Sequence, residues 1–413
     1  MKLLVYSHDA FGLGNLRRML AICEHLLETI PQISILFISG SPVVHSFRLP
    51  LGLDYIKLPC LGRDRDGNLA AKFLGTSIEE TVKLRSQLIH MAALNFQPDL
   101  FLVDKKPYGL KNELKPTLNY FKVFLPETKI VLLLRDILDA PEKTIEDWHQ
   151  YGYYNALEIY YDRILTVGSP EIFDLVREYR FSSEISQKVK FCGYIRKKNG
   201  CKTPSEVRRE LQIPEDQKLL IVTPGGGEDG ARLIENYLNG LAHFPSDRIP
   251  YSLIICGPEM PAEQREQFFE IARRYPQIIM RSFSDDLMSY MAAADAVISM
   301  AGYNTISEIL SLNKPAVVVP RIHPVREQLI RAQRLAELGW LKFIHPDVLT
   351  PQNLMAAVLD LLHPRSNSQT ATQPSQSVSL NLEALPCIQT EISQLLWSQK
   401  LATSTPKSTV LAS

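Results

Sequence analysis

The sequence predicts an α/β protein built from two successive doubly wound parallel sheets. Three observations carry this. Short apolar runs rich in β-branched residues alternate with helical spacing almost from the first residue. The series then restarts after a polar, Lys-rich stretch that runs to Pro204. Two halves of about 170–190 residues each suit the usual size of a domain. Strands separated by helices imply parallel sheets covered on both faces.

In chain order, residues 3–6 read as a buried strand and 17–28 as a helix with Met19, Leu20, Cys23, Leu26 and Leu27 on its apolar face. Residues 33–39 form the next strand, and 76–95 have helical spacing. A strand over 98–103 ends at Asp104, one over 129–134 ends at Arg135-Asp136, and another covers 163–167. In the second half, 219–223 lead into Pro224-Gly225-Gly226-Gly227, and 252–256 into Gly257-Pro258. Strands follow at 278–281, 296–298 and 316–319. The expected domains are 1–195 and 196–363. A disordered linker is expected over 364–381, where Ser, Gln, Thr and Pro crowd together, then a helix over 382–401 and a disordered tail over 402–413.

Composition narrows the function classes. The 413 residues carry 45 basic and 45 acidic side chains, which gives no support to nucleic-acid binding. Six scattered cysteines, none in a Cys-x-x-Cys pair, argue for a reducing compartment and against zinc or a disulfide framework. No apolar run approaches the roughly 18 residues of a membrane span. The expectation is a cytoplasmic protein that touches a membrane surface at most.

The most informative stretch is 299–333. An apolar strand enters the small-residue turn Ala301-Gly302, and a helix opens with Asn304, Thr305 and Ser307, carrying Glu308 in its first turns. Backbone N–H groups and the positive end of the helix dipole make an anion site there. A carboxylate one turn further in accepts hydrogen bonds from two sugar hydroxyls. A diphosphate at the helix start with a ribose diol at Glu308 is how a nucleotide-sugar would be held.

Other loops supply candidates. Gly12-Leu-Gly14-Asn15-Leu-Arg17 occupies the first strand-to-helix turn, beside His8-Asp9. A dinucleotide fingerprint would need a third Gly where Arg17 stands and an acidic residue after Ile38, so a nicotinamide or flavin cofactor is not expected. Gly225, Gly226 and Gly227 sit in a loop suited to wrap a phosphate or sugar, without the Lys-Ser/Thr ending of a P-loop. Asp104 and Asp136 follow buried strands, where Asp also commonly caps the next helix.

The residues Phe283-Ser-Asp-Asp-Leu-Met, Ala292-Ala-Ala-Asp295, Ser299-Met-Ala-Gly302, Thr305-Ile-Ser-Glu308 and Glu327-Gln328 resemble the donor half of glycosyltransferase family 28 (MurG-like). Tyr6-Ser-His-Asp9, Val103-Asp-Lys105 and Gly302-Tyr-Asn-Thr305 resemble a bacterial group of predicted glycosyltransferases. The resemblance covers residues 1–362. It implies the GT-B fold, two Rossmann-like domains facing a cleft, and a metal-independent, inverting transfer from a nucleotide-sugar donor, UDP-linked, to an acceptor hydroxyl. It also implies that Phe283 meets the nucleobase, Gly302, Thr305 and Arg196 the diphosphate, Glu308 the ribose, and Glu327 and Gln328 the donor sugar. Gly12, Gly14 and Asn15 complete the donor-side set.

One departure stands out. The family's first loop reads Gly-x-Gly-His, whereas this chain has Asn15, and a neutral amide cannot accept a proton. The base then falls to His8, Asp9 or Asp104, with His8 oriented by Asp104 as the preferred version. The alternatives are a nucleotide-sugar-binding protein with weakened catalysis and a nucleotide-sugar 2-epimerase using Glu327 or His323. Lipid, glycan and small molecule all stay open as acceptors. Lys105-Lys106 and residues 111–115 give a faint hint of a membrane-facing patch.

Overall fold

The computed structural model describes residues 1–8, 14–64, 68–242, 249–363 and 380–403. Its strands, in chain order, are β1 (Lys2–Tyr6), β2 (Ser34–Ser39), β3 (Leu53–Lys57), β4 (Leu61–Arg63), β5 (Leu69–Ala71), β6 (Leu100–Asp104), β7 (Lys129–Arg135), β8 (Arg163–Val167) and β9 (Val189–Phe191) in the first half. The second half has β10 (Leu219–Thr223), β11 (Tyr251–Ile255), β12 (Ile278–Arg281), β13 (Ala296–Ser299), β14 (Ala316–Val318) and β15 (Lys342–Phe343). They form a seven-stranded sheet in the order β3-β2-β1-β6-β7-β8-β9 and a six-stranded sheet in the order β12-β11-β10-β13-β14-β15. Every pairing in both is parallel; β4 and β5 make a separate antiparallel hairpin. This is the doubly wound α/β class expected from the sequence.

The strands are apolar throughout because helices cover both faces. In the first sheet Leu3, Val5, Leu100, Leu102, Val131 and Leu133 face one core, while Leu4, Tyr6, Phe101, Val103, Ile130 and Leu132 face another. That two-residue alternation follows from the pleat. The first of these cores continues into the second sheet, where Leu219, Ile221, Leu253 and Val297 belong to the same packed cluster. The halves therefore share apolar packing.

In each sheet the strand order reverses at the centre, between β1 and β6 and between β10 and β13. A crevice opens at the carboxyl ends of such strands because their connections leave to opposite faces. Ser7-His8 and Asp104-Lys105 lie at the first reversal, Pro224–Gly227 and Met300–Gly302 at the second.

The C-terminal segment returns to the first sheet. The Tyr194 N–H donates to the Asn381 carbonyl at 2.7 Å, and the Arg196 N–H to the Leu382 carbonyl at 3.2 Å. The helix Ala384–Thr403 follows, with Ala384, Ile388, Ile392 and Leu396 buried at four-residue spacing in the shared core. A four-residue repeat keeps one stripe of a helix against its support.

Between the halves lies a buried polar lock. Arg331, on the helix Glu327–Glu337, makes a fork with Asp136 after β7, through Nε to Oδ2 at 2.7 Å and Nη2 to Oδ1 at 2.8 Å. Its Nη1 donates to the Ala301 carbonyl at 2.7 Å, and Nη2 also pairs with Glu327 at 2.6 Å. The Tyr194 hydroxyl donates to Asp136 at 2.7 Å, and its ring stacks on Tyr303 with centroids 5.6 Å apart. Arg331 has no solvent exposure and Asp136 only 1%. Removing one partner of such a pair leaves an uncompensated buried charge. Arg331→Met should therefore cost about 3–5 kcal/mol. Urea unfolding of the variant would measure this, and a loss under about 1 kcal/mol would show that the lock contributes little.

Candidate functional site

A cavity of about 450 Å³ opens at the carboxyl edge of the second sheet and is closed on one side by the first half. Gly14 and Arg17, at the start of the helix Gly14–Thr29, supply that side. Six expected residues line it together: Gly14, Gly225, Gly226, Phe283, Thr305 and Glu308.

Two glycine loops shape the floor. Gly227 has φ +98°, and a Cβ there would lie 2.4 Å from the Cys256 carbonyl oxygen. Gly257 has φ +92°, and a Cβ there would meet the Gly225 and Gly226 carbonyls, each at 2.4 Å. Only glycine satisfies both the left-handed backbone and the close approach. The sequence shows the Gly225–Gly227 run, but nothing in it signals that Gly257 is its packing partner.

The far wall is the segment 283–288. Asp286 caps the helix Leu287–Ala293 by accepting from the Ser289 N–H at 3.3 Å, and it also accepts from the Cys201 N–H at 3.2 Å. That bond draws the chain 198–201 over the cavity. Phe283 stays 46% exposed at the rim, an apolar ring free to stack on a planar group.

Gly302 is the N-terminal cap of the helix Tyr303–Ser311, with φ −64° and room for a Cβ in ordinary contact with Gln328 Nε2 at 4.0 Å. It lies beside the cavity lining contributed by Asn304 and Thr305. Glu308 faces the cavity one turn on. Burial raises its carboxyl above the ordinary range, with Lys197 and Arg17 pulling the other way. Lys197 donates to Asn304 Oδ1 at 3.1 Å, while Asn304 Nδ2 donates across to the Gly14 carbonyl at 3.3 Å. Burial also lowers the Lys197 ammonium, and Glu308 opposes that.

Several expected residues lie elsewhere. Arg196 turns to the surface and pairs with Glu383 at 2.9 Å, both side chains more than half exposed. The cations near the cavity are instead Arg17, Lys197 and Lys198. Residues 197 and 198 read as linker in the sequence, and no spacing or pattern distinguishes them. Glu327 is closed among three guanidinium groups, Arg331 at 2.6 Å, Arg321 at 3.6 Å and Arg135 at 3.9 Å. Burial would raise its carboxyl, but those arginines outweigh burial and hold it low. Gln328 accepts from the Arg321 N–H at 3.1 Å. Glu327 is thus occupied by protein, whereas Gln328 keeps its Nε2 beside Gly302, 4.0 Å from where a Cβ there would stand.

The expected His8–Asp104 arrangement also differs. Asp104 is fully buried, and its carboxylate pairs with Arg18 at 2.6 Å and accepts from the main-chain N–H of His8 at 3.2 Å. Among the described residues it makes no bond to the imidazole; Arg18 holds Oδ1 and the His8 main chain holds Oδ2. His8 Nδ1 is buried without a hydrogen-bond partner there. Asn15 is engaged at both ends of its amide, donating to the His8 carbonyl and accepting from Arg18. Asp9 and Gly12 lie outside the described residues. No group of three or more His, Cys, Asp or Glu side chains able to hold a metal occurs among the described residues. Nor is any helix there long and apolar enough to cross a membrane.

Comparison with known proteins places this architecture. Residues 220–384 match the family model for the glycosyltransferase family 28 C-terminal domain. An uncharacterised glycosyltransferase of Methanopyrus kandleri is 28% identical over 178 residues, 42% of this chain and 47% of that protein. The UDP-N-acetylglucosamine–N-acetylmuramyl-(pentapeptide) pyrophosphoryl-undecaprenol N-acetylglucosamine transferase of Bacteroides thetaiotaomicron is 24% identical over 314 residues, covering 74% of this chain and 75% of that one. The chain spans about half or less of the first curated relatives it matches, 47% and 40% of their lengths. Among solved structures, MurG of Acinetobacter baumannii superimposes with a TM-score of 0.58 at 14% identity, covering 95% of this chain and 99% of that one. A putative UDP-N-acetylglucosamine 2-epimerase of Listeria monocytogenes gives 0.64 at 14% identity, with 98% of each chain covered. These structures share the GT-B fold with this chain.

The glycine geometry separates packing from ligand contact. Gly227→Ala should destabilise the protein measurably in thermal melts, whereas Gly302→Ala should leave the midpoint within about 2–4 °C of the wild type, a surface-sized change. A large drop for Gly302→Ala would mean that this glycine, too, is needed for packing.

Proposed function

From a chain whose residues 220–384 carry the glycosyltransferase family 28 C-terminal domain, we propose an inverting glycosyltransferase that moves a sugar from a UDP-linked donor to an acceptor hydroxyl. The observation that carries this reading is the cavity. One wall offers an exposed aromatic ring and polar backbone, and the floor offers glycines and a helix start. Glu308 stands one turn further in, and basic side chains close the fourth side. Uracil, diphosphate and ribose would find stacking, dipole and carboxylate in that order.

The acceptor oxygen attacks the anomeric carbon from the face opposite the diphosphate, so configuration inverts. Charge builds on the departing diphosphate. The N–H groups that open the helix Tyr303–Ser311, with Arg17, Lys197 and Lys198, are preorganised to stabilise it. Arg17 comes from the first half, so the donor site needs both halves in register. The 2-epimerase reading fits less well where it asks Glu327, rather than His323, to exchange a proton, since three arginines hold the Glu327 carboxyl low.

Calorimetry with UDP and UDP-N-acetylglucosamine tests the donor site. Binding is expected, with Glu308→Ala weakening it by about tenfold or more, the loss of a hydrogen-bonded charge. Failure of the wild type to bind any common nucleotide-sugar would end the proposal.

A lipid-borne acceptor is the favoured class. Leu84, Leu88, Met91 and Leu94 expose 42%, 38%, 54% and 36% of their surface along the helix Ile78–Phe96, beside Val123 and Phe124 at 68% each. Lys83 lies on that helix, Lys122 on the helix Lys115–Phe124 that carries Val123 and Phe124, and Lys111 in the segment between β6 and the latter. An apolar stripe flanked by lysines suits an anionic bilayer surface. Sedimentation with phosphatidylglycerol vesicles should pull the protein down at low salt, and Leu88→Glu/Met91→Glu should release it. Equal binding by that variant would exclude this face.

A further inference from the structure

The helix Tyr303–Ser311 meets the first half at its very start. Tyr303 is buried, with the Arg18 guanidinium 6.0 Å from its ring centre. Asn304 lines the cavity together with Gly14 and Arg17. The Asn304 amide is engaged at both ends. Its Nδ2 donates to the Gly14 carbonyl at 3.3 Å, and its Oδ1 accepts from Lys197 Nζ at 3.1 Å. The two partners fix which way the amide points, since an ammonium only donates and a carbonyl only accepts. Lys197 is itself anchored, its main-chain N–H donating to Ser311 Oγ at 2.9 Å at the far end of the same helix. Gly14 leaves room for the bridge: a Cβ there would stand 3.2 Å from Asn304 Nδ2.

The bridge matters because of what the Gly14 turn carries. Gly14 opens the helix Gly14–Thr29, and Arg17 follows one turn on. The Arg17 side chain makes no hydrogen bond or ion pair among the described residues, and its charge acts on Glu308 across the cavity. On the first-half side, Asn15 ties this turn to the His8 carbonyl and to Arg18. On the other side stands Asn304. Among the described residues, no further hydrogen bond joins residues 14–17 to the second half.

We propose that Asn304 is a positioning residue of the donor site, whose amide latches the Gly14 turn onto the second half so that the Arg17 guanidinium reaches the diphosphate. This deepens the glycosyl-transfer reading above and rests on it. The diphosphate would meet helix N–H groups from one half and a guanidinium from the other, across a gap that the amide sets. A guanidinium serves a phosphate well only when its planar fork is presented at hydrogen-bonding distance. Without the amide the halves stay joined through Arg331 and Asp136, while the turn that carries Arg17 is let go.

A double-mutant cycle on UDP affinity, measured by calorimetry on the full chain, tests this. Arg17→Gln should weaken UDP by about tenfold, the loss of a hydrogen bond to a charged group. Asn304→Leu keeps the side chain's size without its polar atoms and should weaken UDP by a similar factor. The double variant should fall within about twofold of Arg17→Gln, because the latch serves an arginine already removed. A purely structural role for Asn304 would act on either background alike. Losses that multiply, to about a hundredfold in the double variant, would therefore overturn the proposal. So would wild-type affinity in either single variant. Should the leucine prevent folding, Asn304→Ala carries the same cycle. A wild type that binds UDP no better than Asn304→Leu does strikes this proposal alone. A wild type with no affinity for UDP strikes the wider reading, and this one with it.

Discussion

The ion pair between Arg331 and Asp136 is the constraint on which the rest of the molecule depends. It joins a helix of one half to a strand end of the other with both charges out of water, so each must be fully satisfied by protein. The fork to Asp136, the bond to the Ala301 carbonyl and the contact with Glu327 satisfy Arg331. Tyr194 adds a donor to Asp136. Because Ala301 immediately precedes the helix cap Gly302, the same arginine ties the turn that opens the helix Tyr303–Ser311 to the end of β7. Register between the halves and geometry of the cavity are one problem with one solution.

That coupling explains why charges gather where they do. Arg331, Arg135 and Arg321 surround Glu327, and Asp136 also pairs with Arg331 and Asp229 with Arg321.

Much of this was legible in the sequence. Runs such as Leu100–Asp104 and Leu219–Thr223 are apolar at every core position, and covered parallel strands leave no other pattern. The turn after β13 was readable because a small residue, a helix cap and a carboxylate fall at fixed offsets along one element. Local spacing also brought Thr305 and Glu308 into consideration and the family resemblance brought Phe283, and all three line one cavity. Reading failed where a role depends on which neighbour arrives from far along the chain. Arg196 has a polar partner 187 residues away in Glu383, so it leaves the cavity to Lys197 and Lys198. Asp104 meets Arg18 before it can meet the His8 ring. Glu327 sits in a motif-like run, yet three arginines claim it.

The sequence by itself determined the fold class, the strand order's raw material and the small-residue turns that let a ligand approach backbone. Those features follow from periodicity and from backbone sterics, which act within a few residues. Tertiary structure alone decided which charges are spent on one another and which are left free. Electrostatic pairing in a low-dielectric interior depends on distances of 3–4 Å between segments far apart in the chain, and no local pattern encodes those distances.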